Sequence, residues 1–176
     1  MNVSATLWRD ANHSPIQTDG VTTETSKTFT GSAATVNTPI FRITGSVEIR
    51  ALYGVVTTNL GANHTAASFR LNDQTAQVYI TAVGGVTMSG KKAGSVIVKN
   101  GLVAAAAVAL DNVAGAVSEP TTLETSYFSP CVVVKKTAAT TNIEYRYATT
   151  DEPTSGAMQF FVRWIPLSAD ADVAVI

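Results

Sequence analysis

The side chains that carry most protein chemistry are few in this chain and far apart. Its 176 residues include two histidines and one cysteine. His13 and His64 sit in short polar stretches, Asn12-His13-Ser14 and Asn63-His64-Thr65, with no second His, Cys or carboxylate at a ligand spacing such as i, i+4. Both read as solvated loop histidines rather than metal ligands or general bases. Cys131 follows Ser129-Pro130 and opens Val132-Val133-Val134. A nucleophilic thiol wants a base and an electropositive setting. At the head of an apolar run, Cys131 reads instead as a small buried hydrophobe. A single cysteine also excludes an intrachain disulfide framework and a zinc site built mainly from thiolates.

Two stretches approach known site patterns and then depart from them. Gly85-Val86-Thr87-Met88-Ser89-Gly90-Lys91-Lys92 comes near a phosphate-binding loop. That loop needs Ser or Thr after its Lys to hold Mg²⁺, and a helix behind it whose amides converge on phosphate. Lys92 stands at the hydroxyl position, and Ala93-Gly94-Ser95 leads into a β-type run, so the stretch reads as a hairpin loop. Asp170 and Asp172 lie two apart. A Ca²⁺ site takes six or more oxygens, and no full set accompanies them, so they read as a solvated acidic turn. With no triad, no paired catalytic carboxylates and no metal box, the reading is a non-enzymatic protein without a cofactor.

The elements that would position any such groups are β-strands. Phe41 and Ile43 alternate with Arg42 and Thr44. Val47, Ile49, Ala51, Tyr53 and Val55 alternate with Ser46, Glu48 and Arg50, which predicts one long strand with those five residues on its apolar face. The same period runs through Phe69 and Leu71, through Ile143, Tyr145 and Tyr147, and through Phe160, Val162 and Trp164. Shorter runs lie at Val78–Ile80 and Val96–Val98. Turn clusters separate them, among them Asn59–Asn63, Gly84-Gly85 and Asp151–Gly156. Seven or eight short strands at this spacing predict an all-β chain, a single antiparallel β-sandwich or a barrel. Leu102–Leu110 is rich in Ala, the best helix former. Its nine residues between Gly101 and Asp111 fit a buried strand better than a stable helix.

Charged residues are 14% of the chain, against roughly 25% in an ordinary soluble domain. The apolar share is 45%, so the low charge is not that of a disordered chain. It implies surface covered by copies of the same protein. Twelve basic against thirteen acidic residues lack the excess that wrapping nucleic acid requires. The longest apolar run, Leu102–Leu110, is about half of what a membrane-spanning helix needs. The opening residues lack the basic start and apolar core of a signal peptide, which reads as synthesis in a cytoplasm without a Sec-type signal.

From Asn2 to Asn37 the composition shifts to Thr, Ser, Asn and Ala, with isolated large residues Leu7, Trp8, Ile16, Val21 and Phe29 and no period through them. Residues 1–37 therefore read as an extended arm, and 38–176 as the sandwich domain. Such an arm cannot by itself bury enough apolar surface to offset an ordering entropy of roughly 1–2 kcal/mol per residue. Leu7, Trp8, Ile16 and Phe29 are its candidate assembly contacts, with Trp8 the anchor on a neighbouring subunit.

Two stretches carry a resemblance. Phe41–Asn63 contains Val47-Glu48-Ile49, then Leu52-Tyr53-Gly54-Val55-Val56-Thr57-Thr58 and a turn. Phe161–Ile176 contains Trp164-Ile165-Pro166-Leu167-Ser168 and the acidic turn. Both are similar to segments of small Thr/Val/Ala-rich virion proteins of tailed bacteriophages. The resemblance covers about a quarter of the chain by its motifs and defines no active site, so it brings no functional residues with it. It implies a jelly-roll-like sandwich that assembles, as a trimer, on the capsid surface and decorates or cements the shell alongside the major capsid protein. The competing readings are a tail-fibre or baseplate module that recognises host carbohydrate, and a tail or connector subunit.

Overall fold

The computed structural model describes residues 20–30, 35–73, 76–99, 107–110, 130–134, 140–148 and 155–176. Among them lie eleven strands and no helix: β1 (Val21–Phe29), β2 (Val36–Thr44), β3 (Val47–Thr58), β4 (Thr65–Asn72), β5 (Gln77–Tyr79), β6 (Val96–Val98), β7 (Val108–Leu110), β8 (Cys131–Val133), β9 (Thr141–Ala148), β10 (Gly156–Pro166) and β11 (Asp172–Val175). They build two antiparallel sheets. One runs β1-β10-β3-β6-β7 with β8 also on β3; the other runs β11-β2-β9-β4-β5. The expected β-sandwich is the fold. The strands beyond the expected seven or eight are mostly three or four residues long, too short to show a period.

The inner faces meet through rings. Phe160 of β10 packs against Tyr145 of β9 at 4.9 Å and edge-on against Phe69 of β4 at 6.3 Å. Around them lie Phe41, Ile43, Val47, Ile49, Leu52, Val56, Ile97, Ile143, Met158, Val162 and Trp164, all buried. Pairs of this kind add about 0.5–1.5 kcal/mol beyond the area they bury. Gly54 is glycine because the layers leave no room there: a Cβ would stand 2.8 Å from the Phe160 ring.

Strand β3 departs from simple alternation. Ile49 pairs with Trp164 and Ala51 with Arg163, so Arg50 is an extra residue in the ladder. A bulge shifts the phase by one and turns the following side chains to the other face. Val47 and Ile49 point inward as expected, but beyond the bulge the inward set is Leu52, Gly54 and Val56. Tyr53 and Val55, expected on the core face, stand on the outer one.

The proposed boundary at residue 38 also needs correction. Val21–Phe29 is an integral strand, paired with β10 from Val21↔Trp164 to Phe29↔Gly156, and β2 already begins at Val36. Among the described residues β1 lies at the edge of its sheet, and between Val21 and Phe29 its inward positions are Thr23, Thr25 and Lys27. Threonine favours strands but does not register as apolar. Thr23 earns its place by hydrogen bonding: Trp164 Nε1 donates to its hydroxyl at 3.1 Å, and that hydroxyl donates to the Val173 carbonyl at 3.1 Å. Phe29 is 4% exposed and belongs to the core, so it is not an assembly contact. Leu7, Trp8 and Ile16 lie outside the described residues. The end of the Ala-rich run is strand, with β7 at Val108–Leu110 and Ala107 buried before it; 101–106 lie outside the described residues.

Candidate functional site

His64 ends the turn between β3 and β4. Asn63 takes φ 64°, a left-handed conformation that asparagine tolerates, and this turns the histidine inward. It is fully buried rather than solvated. Its ring stacks on Tyr147 at 4.0 Å and meets Phe29 edge-on at 5.1 Å, while Nε2 shares a 2.7 Å hydrogen bond with the Tyr145 hydroxyl. Nδ1 is buried with no partner among the described residues. Burial lowers the His64 pKa to about 4, so the ring is neutral at neutral pH. Burial, reinforced by the neighbouring Tyr147, pushes the Tyr145 phenol well up. A neutral imidazole sealed against rings has no path to a substrate; this cluster is core.

Arg70 and Glu144 face outward from neighbouring strands β4 and β9 and are paired in register. Arg70 Nε donates to Glu144 Oε2 at 2.7 Å, and both side chains are about 5% exposed. Arg70 Nη1 donates to Gln77 Oε1 at 2.6 Å, and Asn72 Nδ2 to Glu144 Oε1 at 2.8 Å. Each carboxylate oxygen is thus satisfied, which is what a buried ion pair requires. No spacing in the sequence reveals this pair, because its members are 74 positions apart.

Cys131 opens β8, half-buried. Burial raises its pKa and nearby Lys99 partly opposes that, so the thiol stays protonated at neutral pH and is a poor nucleophile. The Gly85–Lys92 stretch is not a hairpin loop. It belongs to the connection carrying the chain from β5 in one sheet to β6 in the other. Met88 plugs it into the core and donates its amide to the His64 carbonyl at 2.8 Å. At the acidic turn, Ser168 Oγ donates to Asp170 Oδ1 at 2.7 Å. Among the described residues, no three His, Cys, Asp or Glu side chains cluster as metal ligands.

The outward apolar surface is the feature that remains. On the outer face of the six-stranded sheet, Tyr53 and Phe161 stack at 4.8 Å and 14°. Val98 and Val96 pair with Tyr53 and Val55, so a half-buried apolar row crosses β10, β3 and β6. Where β8 approaches the edge of the other sheet, a groove of about 190 Å³ opens between Leu71, Ala76, Val78, Val132, Val133 and Val134, with Asp73 and Thr141 completing its wall. Val78, Val132 and Val134 are 55–70% exposed. No protein-family model, curated protein or solved structure matches this chain. The reading of the site therefore rests on this surface. It can hold apolar side chains and, at the margins of β5 and β8 that pair with no further strand among the described residues, backbone hydrogen bonds. It offers no catalytic constellation among the described residues.

Proposed function

We propose that the chain is a non-enzymatic structural protein of a phage virion, a jelly-roll-like decoration or cement protein that assembles as a trimer on the capsid and stabilises the shell. The observation that carries this reading is the apolar row Phe161–Tyr53–Val98, with Val55 and Val96 beside it. The solvent face of an antiparallel sandwich is ordinarily polar, and an outward apolar row is the mark of a surface built to be covered. The low charge fraction points the same way. The two stretches that resemble phage virion proteins also belong together in space. β10 pairs along β3 and β11 along β2, so both stretches lie in adjoining strands of one unit. A cement protein needs contact area rather than catalysis, and weak contacts repeated across a shell act with high avidity.

The test is light scattering coupled to gel filtration on the full chain, with Tyr53→Glu/Phe161→Glu as the variant, followed by co-sedimentation with capsids stripped of accessory proteins. The wild type should run as a trimer and co-sediment; the variant should lose both while melting at a similar temperature. A wild-type mass of 18.4 kDa at about 100 μM, a concentration at which millimolar-or-better contacts begin to show, together with no binding to capsids, would refute the reading.

A further inference from the structure

The groove beside β8 has walls, a size and an orientation that select what enters it. Its sides are valine and leucine, and about 190 Å³ exceeds the roughly 150 Å³ cavity that holds a benzene ring. One aromatic side chain fits. Two sheet margins flank it: among the described residues β8 pairs only with β3, and β5 only with β4. Each presents backbone groups that an incoming extended segment can pair with.

Resting on the assembly reading above, we infer that the segment preceding Gly20 in one copy docks in this groove on a neighbouring copy, with Trp8 as its anchor. Residues 1–19 hold Leu7, Trp8 and Ile16 in an otherwise polar stretch and join the described chain at Gly20, directly before β1. Val21 pairs with Trp164, Trp164 with Ile49, and Ile49 with Cys131. Gly20 and β8 therefore stand at the same end of the six-stranded sheet, on opposite margins. Three strand spacings, about 14 Å, separate them. Its own groove lies across that width, which the segment can also span, so the assembly reading is what sets the segment on a neighbour. In a copy set margin to margin, the groove begins where β1 ends. The twelve positions from Trp8 to Gly20 reach up to about 40 Å, enough to cross such a junction. A donor on one margin and an acceptor on the other make a head-to-tail contact, the kind that forms a ring where the rotation between copies closes.

Two full-length variants test this. Leu7→Asp/Trp8→Asp spoils the donor and keeps the groove. Val132→Lys/Val134→Lys spoils the groove at two exposed positions and keeps the donor. Each alone should run as a monomer with an unchanged melting temperature. Mixed, they should form a pair of twice 18.4 kDa, because one intact donor then meets one intact groove. Should the double donor variant fold poorly, Trp8→Ala serves, with association weakened at least about thirtyfold, as for loss of an interface anchor. An oligomer that persists in either variant overturns the inference and leaves the assembly reading standing. Monomeric variants that do not pair on mixing also overturn it, placing the segment in its own groove or giving the groove to another occupant such as residues 111–129. A wild type that is itself monomeric defeats the assembly reading first.

Discussion

Lowering the pH should unfasten this sandwich through His64 before it does so through most carboxylates. The folded ring has a pKa of about 4, against 6.5 in the unfolded chain. Above pH 6.5 the ring is neutral in both states and contributes no pH dependence. Between 6.5 and 4 the unfolded chain takes up a proton that the folded one refuses, so stability falls as the pH falls, by about 1.4 kcal/mol per unit. The total is about 3 kcal/mol, reached near pH 4. Geometry gives the reason: an imidazolium donates from both nitrogens, Nε2 has the Tyr145 oxygen, and Nδ1 faces no acceptor among the described residues. The measurement is urea denaturation of wild type and His64→Phe at pH 7.5 and 4.5. Phenylalanine keeps the stack on Tyr147 and cannot be protonated. At pH 7.5 the variant should be less stable, by about 1–3 kcal/mol, because the Tyr145 hydroxyl loses its partner. At pH 4.5 that deficit should shrink by between about 2 and 3 kcal/mol, or reverse. A deficit that changes by less than about 0.5 kcal/mol between the two pH values would show that His64 is protonated or solvated in the folded state, and the reasoning would fail.

Three further outcomes follow from the core and the buried pair. Trp164→Ala should cost about 3–5 kcal/mol in thermal or urea unfolding, since the ring is 6% exposed and its Nε1 holds Thr23 in place. Glu144→Gln should cost about 3–5 kcal/mol by leaving Arg70 buried without its counter-charge, whereas Arg70→Leu/Glu144→Leu should cost far less. Gly85→Ala should cost more than about 2 kcal/mol by the same unfolding assay, because a Cβ there would sit 2.3 Å from the Ala66 carbonyl carbon at a φ of +54°.

Much of the fold is legible in the sequence where a strand has a large apolar residue at every second position. β9 and β10 are of this kind, with Ile143, Tyr145 and Tyr147 in one and Phe160, Val162 and Trp164 in the other, and both keep the predicted face. Legibility fails where a strand fills its inner positions with threonine, as β1 does, because the period then carries no hydropathy signal. It fails again after Arg50, where one extra residue reverses the faces and puts Tyr53 outside. His64 and the Arg70–Glu144 pair were hidden for a different reason. What buries them comes from strands distant in sequence, and no local pattern records which strands are neighbours. The outward apolar row became visible only once the bulge fixed the phase of β3.

The sheet order also sets a schedule for the newborn chain. β1, β2 and β3 find their long partners in β9, β10 and β11, and Thr23 reaches across 150 positions to bond the Val173 carbonyl. At about 5–20 residues per second, a ribosome needs roughly eight to thirty seconds to make that much chain. Until β9 and β10 are made, β1 and β2 exist without the strands they pair with, and β3 has only the short β6 and β8. They are guarded mainly by what they are made of: threonine and serine along β1, Pro39 within β2, and charges at Glu48 and Arg50 of β3. The threonines that hide β1 from a hydropathy reading are thus also what keeps the waiting strand in water until β10 is made.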